Sequence, residues 1–161
     1  MKMTGQTALK DVLIVREQPD TPDASALVSE LDAYLMPQYP PASHHGMTVE
    51  RLLAERVDFF VLRCGGAAAG CCGIQNIQGE YGELKRFYVR PEFRRKGLGK
   101  ILLRHLEEFA RAQGFPIVRL ETGVYQLEAM NLYESSGYRR IPPFGPYAED
   151  PLSLFYEKNL A

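Results

Sequence analysis

Tryptophan is absent from the 161 residues, and cysteine occurs only three times, as Cys64, Cys71 and Cys72. An odd number of thiols, two of them adjacent, does not describe a disulfide framework. The lack of a CxxC spacing or a nearby histidine pair leaves no zinc motif. His44 and His45 are neighbours in sequence rather than i, i+4 partners, so no metal is expected. Reduced thiols fit a cytoplasmic protein. No apolar run approaches the roughly 20 residues that span a bilayer, so no membrane association is expected. The opening MKMTGQTALKD has lysines without an apolar stretch behind them, which does not describe a signal peptide. The chain also lacks an excess of either charge: the net value is −1. A protein that wraps nucleic acid carries a large basic surplus, so no nucleic-acid partner is expected.

What is present describes a single domain over 1–161 with a full-sized core. The hydrophobic fraction of 45% and the charged fraction of 24% are ordinary for a globular chain. DVLIVRE (11–17) is short and β-branched and predicts a strand. Segment 19–35 predicts a helix presenting Ala26, Leu27, Leu31, Tyr34 and Leu35, with Pro22 and Asp23 near its start. A proline-rich loop (36–47) and a short helix (48–56) follow. Segments 57–63 and 67–78, joined at Gly65-Gly66, read as a hairpin. Segment 81–91 adds a strand stopped by Pro91. From 97 to 113, the positions Leu98, Ile101, Leu102, Leu106, Phe109 and Ala110 form one helical stripe, closed by Gly114. A strand (115–123), a helix (126–136) and two strands (137–143 and 151–160) complete the order β-α-α-β-β-β-α-β-α-β-β. This predicts an α/β protein with a mixed, mostly antiparallel central sheet and helices on both faces.

The local concentration of positive charge is RRKGLGK (94–100), directly ahead of the apolar run ILLRHLEEFA. A helix N-terminus offers unpaired N–H groups and the positive end of its dipole, so cations there oppose helix stability. Glycines let backbone donors approach an anion closely. A bound polyanion reconciles the two. Walker A is excluded because Ile101 follows Gly99-Lys100 and the upstream glycine is missing. The dinucleotide fingerprint fails because Leu102 holds its third glycine position. What remains is Arg94-x-x-Gly97-x-Gly99, entered from a strand ending in VRP.

That stretch, LKRFYVRPEFRRKGLGKILLRHLEEFARAQG, followed by LETGVYQLEAMNLYESSGYRRI, closely resembles the GCN5-related N-acetyltransferase (GNAT) superfamily. It matches the acetyl-CoA motif [Q/R]xxGx[G/A] and the later LYE…GF/Y signature, and the element order is that of the family. YPPASHHG and the C-terminal PFGPYAEDPLSLFYEK are similar to a bacterial subgroup of small acetyltransferases. The resemblance implies acetyl-CoA as co-substrate, held where two neighbouring parallel strands, 81–90 and 115–122, splay apart. The pantetheine would pair with backbone groups of Phe87, Tyr88 and Val89. The pyrophosphate would lie on the amides of Arg94, Arg95, Lys96, Gly97, Leu98, Gly99 and Lys100. Gln126 stands where many relatives carry a cofactor-contacting asparagine, with Asn131 as the other candidate. Relatives often dimerise through terminal strands, which implies a possible homodimer.

The implied chemistry is direct acyl transfer from a thioester to an amine. An amine of pKa about 10 must lose a proton before it attacks, and the departing thiolate gains from receiving one. By the same resemblance, Glu83 is the candidate base and Tyr133 the candidate acid. The two adjacent cysteines would face opposite sides of a strand and pack. His45, Arg86, Arg119 and Tyr147 are candidates to receive a small carboxylated acceptor, since arginine binds carboxylates in a bidentate manner. A small-molecule amine acceptor is the leading expectation. A protein lysine or N-terminal acceptor, or a non-catalytic acetyl-CoA-binding module, are the alternatives. An open groove, without the proline-rich loop folded over it, would favour the protein acceptor.

Overall fold

A computed structural model describes residues 11–161; the N-terminal segment read above as lacking a signal peptide lies almost wholly outside them. The described residues form β1 (Val12–Arg16), α1 (Pro22–Leu35), α2 (Val49–Ala54), β2 (Asp58–Cys64), β3 (Ala67–Ile77), β4 (Tyr81–Val89), α3 (Leu98–Ala112), β5 (Ile117–Gly123), α4 (Leu127–Ser135), β6 (Arg139–Ile141) and β7 (Ser153–Asn159). The strands make one sheet in the order β1-β2-β3-β4-β5-β7-β6. Every pairing is antiparallel except β4 with β5. The mixed, mostly antiparallel sheet expected from the sequence is the one found.

Helices cover both faces of it. On one face, α3 and α4 bury Leu98, Leu102, Leu103, Leu106 and Tyr133 against Phe60, Leu62, Cys72, Ile74 and Leu84. On the other, α1 and α2 bury Leu27, Val28, Leu31 and Leu52 against Phe59, Val61, Cys71 and Tyr88. Each buried aliphatic side chain contributes roughly 1.5–3 kcal/mol. Cys71 and Cys72 point to opposite faces, as strand alternation requires. Burial pushes the Cys71 thiol up to about 12 and raises Cys72 as well, so both stay protonated packing groups.

Helix α1 starts at Thr21, whose hydroxyl accepts from the Ala24 amide 3.3 Å away. Its buried face differs from the expected one. Ala24, Leu27, Val28 and Leu31 are buried, whereas Ala26 is only half-buried and Tyr34 is exposed. Tyr34, in its last turn, faces a groove rather than the core. The proline-rich loop contains two short 3₁₀ turns, Met36–Gln38 and Pro41–Ser43. On α3 the buried stripe also takes in Leu103 and Glu107. The Glu107 carboxylate accepts from Tyr138 Oη (2.8 Å) and Lys158 Nζ (3.0 Å), which satisfies a charge the apolar pattern did not anticipate.

Two irregularities in β4 determine the site. Opposite Cys71–Gly73 of β3, β4 carries one extra residue, and Arg86 takes a left-handed φ of 52° there. The parallel ladder with β5 is also short: only Gly82 with Val118 and Glu83 with Arg119 are paired. Beyond Glu83 the two strands diverge.

Leu102 is fully buried between α3 and the sheet. Leu102→Ala is expected to cost about 2–5 kcal/mol, read as a lower urea midpoint with an unchanged m-value.

Candidate active site

Where β4 and β5 part, two cavities meet at Leu31, Phe87, Gln126 and Ala129. The larger, of about 510 Å³, runs along the free edge of β4 to the start of α3. Phe87, Tyr88, Val89, Arg94, Arg95, Gly97, Leu98, Gly99, Lys100 and Gln126 all line it, as expected. Two candidates do not. Lys96 is exposed, with its ammonium 5.8 Å from the Phe93 ring centre, and Asn131 is exposed on α4 away from the groove.

The start of α3 is built for an anion. Arg95 (φ 63°) and Gly97 (φ 76°) both take left-handed conformations, turning successive backbone amides toward one concavity. No side chain caps the helix, and its first turn holds no acidic residue. Those N–H groups need an external acceptor. Arg94 is fixed by donation from Nε to the Val89 carbonyl at 2.9 Å and lies against the rings of Tyr34 and Tyr88. Tyr34, Tyr125 and Leu127, all largely exposed, line the same groove. The anion-binding turn, the unpaired β4 edge and these apolar walls fit a phosphorylated, partly apolar ligand such as a coenzyme A thioester.

The smaller cavity, of about 300 Å³, lies on the α1 side and is lined on one side by the loop 36–47. It is lined by three of the four expected acceptor residues, His45, Arg86 and Tyr147, together with Tyr133. Arg119 lies elsewhere. It donates from Nε to Glu157 at 3.0 Å and stacks 4.6 Å above the Tyr81 ring, because its position on β5 is still inside the paired ladder. Arg86 is largely committed to α1, with Nη2 donating to Asp32 at 2.5 Å and to the Val28 carbonyl at 3.1 Å. Its Nε is buried and has no hydrogen-bond partner.

The carboxylates divide sharply. Glu83 is 3% exposed and does not line the cavity; it accepts from Tyr147 Oη at 2.6 Å and Lys85 Nζ at 2.8 Å. Glu121, at the splayed end of β5, does line it. Its one side-chain hydrogen bond among the described residues is from Ser153 Oγ at 2.9 Å. Burial holds the Glu121 carboxyl above the usual range, opposed by that hydrogen bond and by the charges of His45 and Lys85. Burial likewise pushes the Tyr133 phenol upward, so it remains protonated and able to donate. The sequence reading passed over Glu121. It shares a strand face with Arg119 by simple alternation, and only the end of the ladder distinguishes the two.

The comparisons with known proteins agree with this geometry. A family model described as the acetyltransferase (GNAT) family matches residues 28–138. The IAA acetyltransferase of Azospirillum brasilense is 42% identical over 94% of this chain and 100% of that protein. The chain belongs to the GNAT family. This GNAT chain is also 36% identical to the N-acetyltransferase YsnE of Bacillus subtilis, over 75% of the chain and 82% of the relative. A crystal structure from Klebsiella pneumoniae, assigned as an acyl-CoA N-acyltransferase, superimposes with a TM-score of 0.79 at 35% identity. It covers 93% of this chain and 98% of that one. The protein is therefore an N-acetyltransferase, and the matched residues include the turn at Arg94–Lys100.

The raised Glu121 carboxyl has a consequence for stability. The native state holds this proton more tightly than the unfolded chain, so stability falls as pH rises from the ordinary carboxylate range through the native value. Glu121→Gln keeps a side-chain acceptor for Ser153 and does not titrate. Its Tm is expected to match the wild type near pH 4 and to exceed it increasingly toward pH 7, as read by thermal melts across that range.

Proposed function

We propose that this GNAT enzyme transfers the acetyl group of acetyl-CoA directly to the amine of a small molecule that bears a carboxylate. The observation that carries the reading is the small cavity of about 300 Å³ with the Arg86 guanidinium in its wall, held in place by Asp32 and the Val28 carbonyl. An arginine fixed in this way presents a planar cation that suits a carboxylate. Loop 36–47 forms one wall of the cavity, whose volume of about 300 Å³ suits a small acceptor. The IAA acetyltransferase relative points to a small acceptor in the same direction.

The donor supplies the thioester carbonyl. The amides at the start of α3 and the edge of β4 hold it, leaving the reacting carbonyl where the two cavities meet. Glu121 accepts the ammonium proton, directly or through water, because it is the carboxylate in contact with the cavity and carries a raised proton affinity. Tyr133, in the wall of the smaller cavity and protonated at neutral pH, donates to the departing thiolate. Glu83, the base implied by family resemblance, is engaged by Tyr147 and Lys85 and acts in this scheme by holding those two groups. The two carboxylates are separable by experiment.

Two experiments test the scheme. The first assays CoA release with L-phenylalanine, L-glutamate, phenethylamine, spermidine and a lysine peptide as acceptors. Carboxylated acceptors are expected to lead, and Arg86→Lys, which keeps the charge and removes the planar guanidinium, to raise their KM about tenfold with little change for acetyl-CoA. Phenethylamine outrunning L-phenylalanine would remove the carboxylate from the proposal. Turnover of the peptide alone would move the acceptor to proteins, and no turnover with any amine, despite acetyl-CoA binding, would favour a non-catalytic module. The second compares variants. Glu121→Gln and Tyr133→Phe are each expected to lower kcat by about 10²–10³, with Glu121→Gln abolishing the acidic limb of the pH profile. A larger loss in Glu83→Gln than in Glu121→Gln would return the base to Glu83.

A further inference from the structure

The loop 36–47 is held over the acceptor cavity at a point unrelated to the motifs discussed so far. The Tyr39 hydroxyl accepts from the Tyr125 amide at 3.0 Å and from Gln126 Nε2 at 3.0 Å. Gln126 Nε2 also reaches Gln38 Oε1 at 3.2 Å, and the Tyr39 and Tyr125 rings lie 5.3 Å apart. Tyr39 is only 7% exposed although it belongs to a surface loop. Gly123 leaves the space it occupies: a Cβ there would stand 2.0 Å from the Tyr39 hydroxyl oxygen. The contact therefore depends on a small residue at the end of β5 and on two donors in the turn between β5 and α4.

That turn is where the two cavities adjoin. Tyr39 lines the acceptor cavity, Tyr125 the donor groove, and Gln126 both. Downstream of Tyr39, the same loop supplies Ser43, His44, His45, Gly46 and Met47 to the acceptor wall. Ser43 is tied to Asp150 at 2.8 Å; before it, the segment is held by the Tyr39 hydroxyl contacts, by the bond from Gln38 Nε2 to the Tyr34 carbonyl and by His44 Nε2, 2.7 Å from the Tyr39 carbonyl.

We propose that Tyr39 is a positioning residue for the acceptor. Through its hydroxyl it latches the loop to the Tyr125–Gln126 turn and sets the wall against which the amine substrate is held. It does not touch the reacting atoms, so its loss acts on acceptor binding and not on the donor or on the chemical step. The same bonds commit the Gln126 amide to the acceptor loop. Gln126, which the sequence suggested as a cofactor contact, thus serves the acceptor side through Tyr39. The inference rests on the smaller cavity being the acceptor site.

The test is Tyr39→Phe, which removes the hydroxyl and keeps the ring. For the best acceptor of the panel above, KM is expected to rise about tenfold, as loss of two neutral hydrogen bonds allows. KM for acetyl-CoA and kcat should stay within about twofold of wild type. Hydrogen exchange at the Tyr125 amide should accelerate at least about tenfold, because its acceptor is gone. Gly123→Ala, which displaces the Tyr39 ring, should give the same split between the two KM values. An unchanged acceptor KM, an equal rise in both KM values, or a fall in kcat and Tm together would each overturn the proposal. A wild-type protein that turns over no amine defeats the acceptor reading and this one together. Wild-type turnover with unaltered Tyr39→Phe kinetics defeats this one alone.

Discussion

The parallel ladder between β4 and β5 ends after two paired positions, and the rest of the site depends on that early end. A sheet of seven strands is continuous only if every neighbour pairs, and here one pairing is given up over most of its length. The backbone groups released on β4 must find another partner, since buried peptide groups left unpaired are costly. Nothing in the chain fills the gap among the described residues. The cavities on either side of it converge at Phe87 and Gln126, so the missing pairing opens both of them. Protein strands hold the sheet together at Gly82 and Glu83, and a ligand is left to complete it further along.

The extra residue in β4 works together with this divergence. It lets Leu84 and Phe87 pack toward α3 and α4 while Arg86 and Tyr88 turn toward α1. An uninterrupted strand could not do this, because residues separated by two positions share a face. Arg86 takes the left-handed backbone that a bulge imposes, and its guanidinium ties the sheet to α1 through Asp32 and the Val28 carbonyl. Gly46 completes the arrangement from the loop side, since a Cβ there would collide with Arg86 Nη1. The strand whose edge lines the larger cavity therefore also anchors the helix and loop that line the smaller one.

The fold was legible because its elements announce themselves locally. The β-branched runs, the stripe from Leu98 to Ala110 and the glycines that end helices each follow from short-range periodicity, and the RRKGLGK turn has an electrostatic logic visible in a few residues. Ten of the residues that the turn and the family resemblance singled out line the larger cavity. The acceptor side was less legible, because its residues meet only through the register of distant strands. Arg119 and Glu121 look alike in sequence, two polar residues on one face of a strand. Only the end of the ladder between Glu83 and Arg119 sends the first to Glu157 and the second to the cavity. Glu83 could be located on its strand, but its engagement by Tyr147, 64 positions away, could not. Tyr39 gave no signal at all in a proline-rich loop, since the space it needs is left by Gly123 on another element.

The two sides of the site tolerate change in very different ways. One residue added to or removed from β4 would move every later side chain of that strand to the wrong face, and with it the contacts of the donor groove. The acceptor wall is a loop between α1 and α2, pinned at Tyr39 and Ser43, and its length between those points is not bound to any strand register. Insertions there would reshape the acceptor cavity while the donor machinery stayed in frame. The architecture thus separates a half whose length is fixed by pleat from a half that can be lengthened or shortened without shifting the sheet.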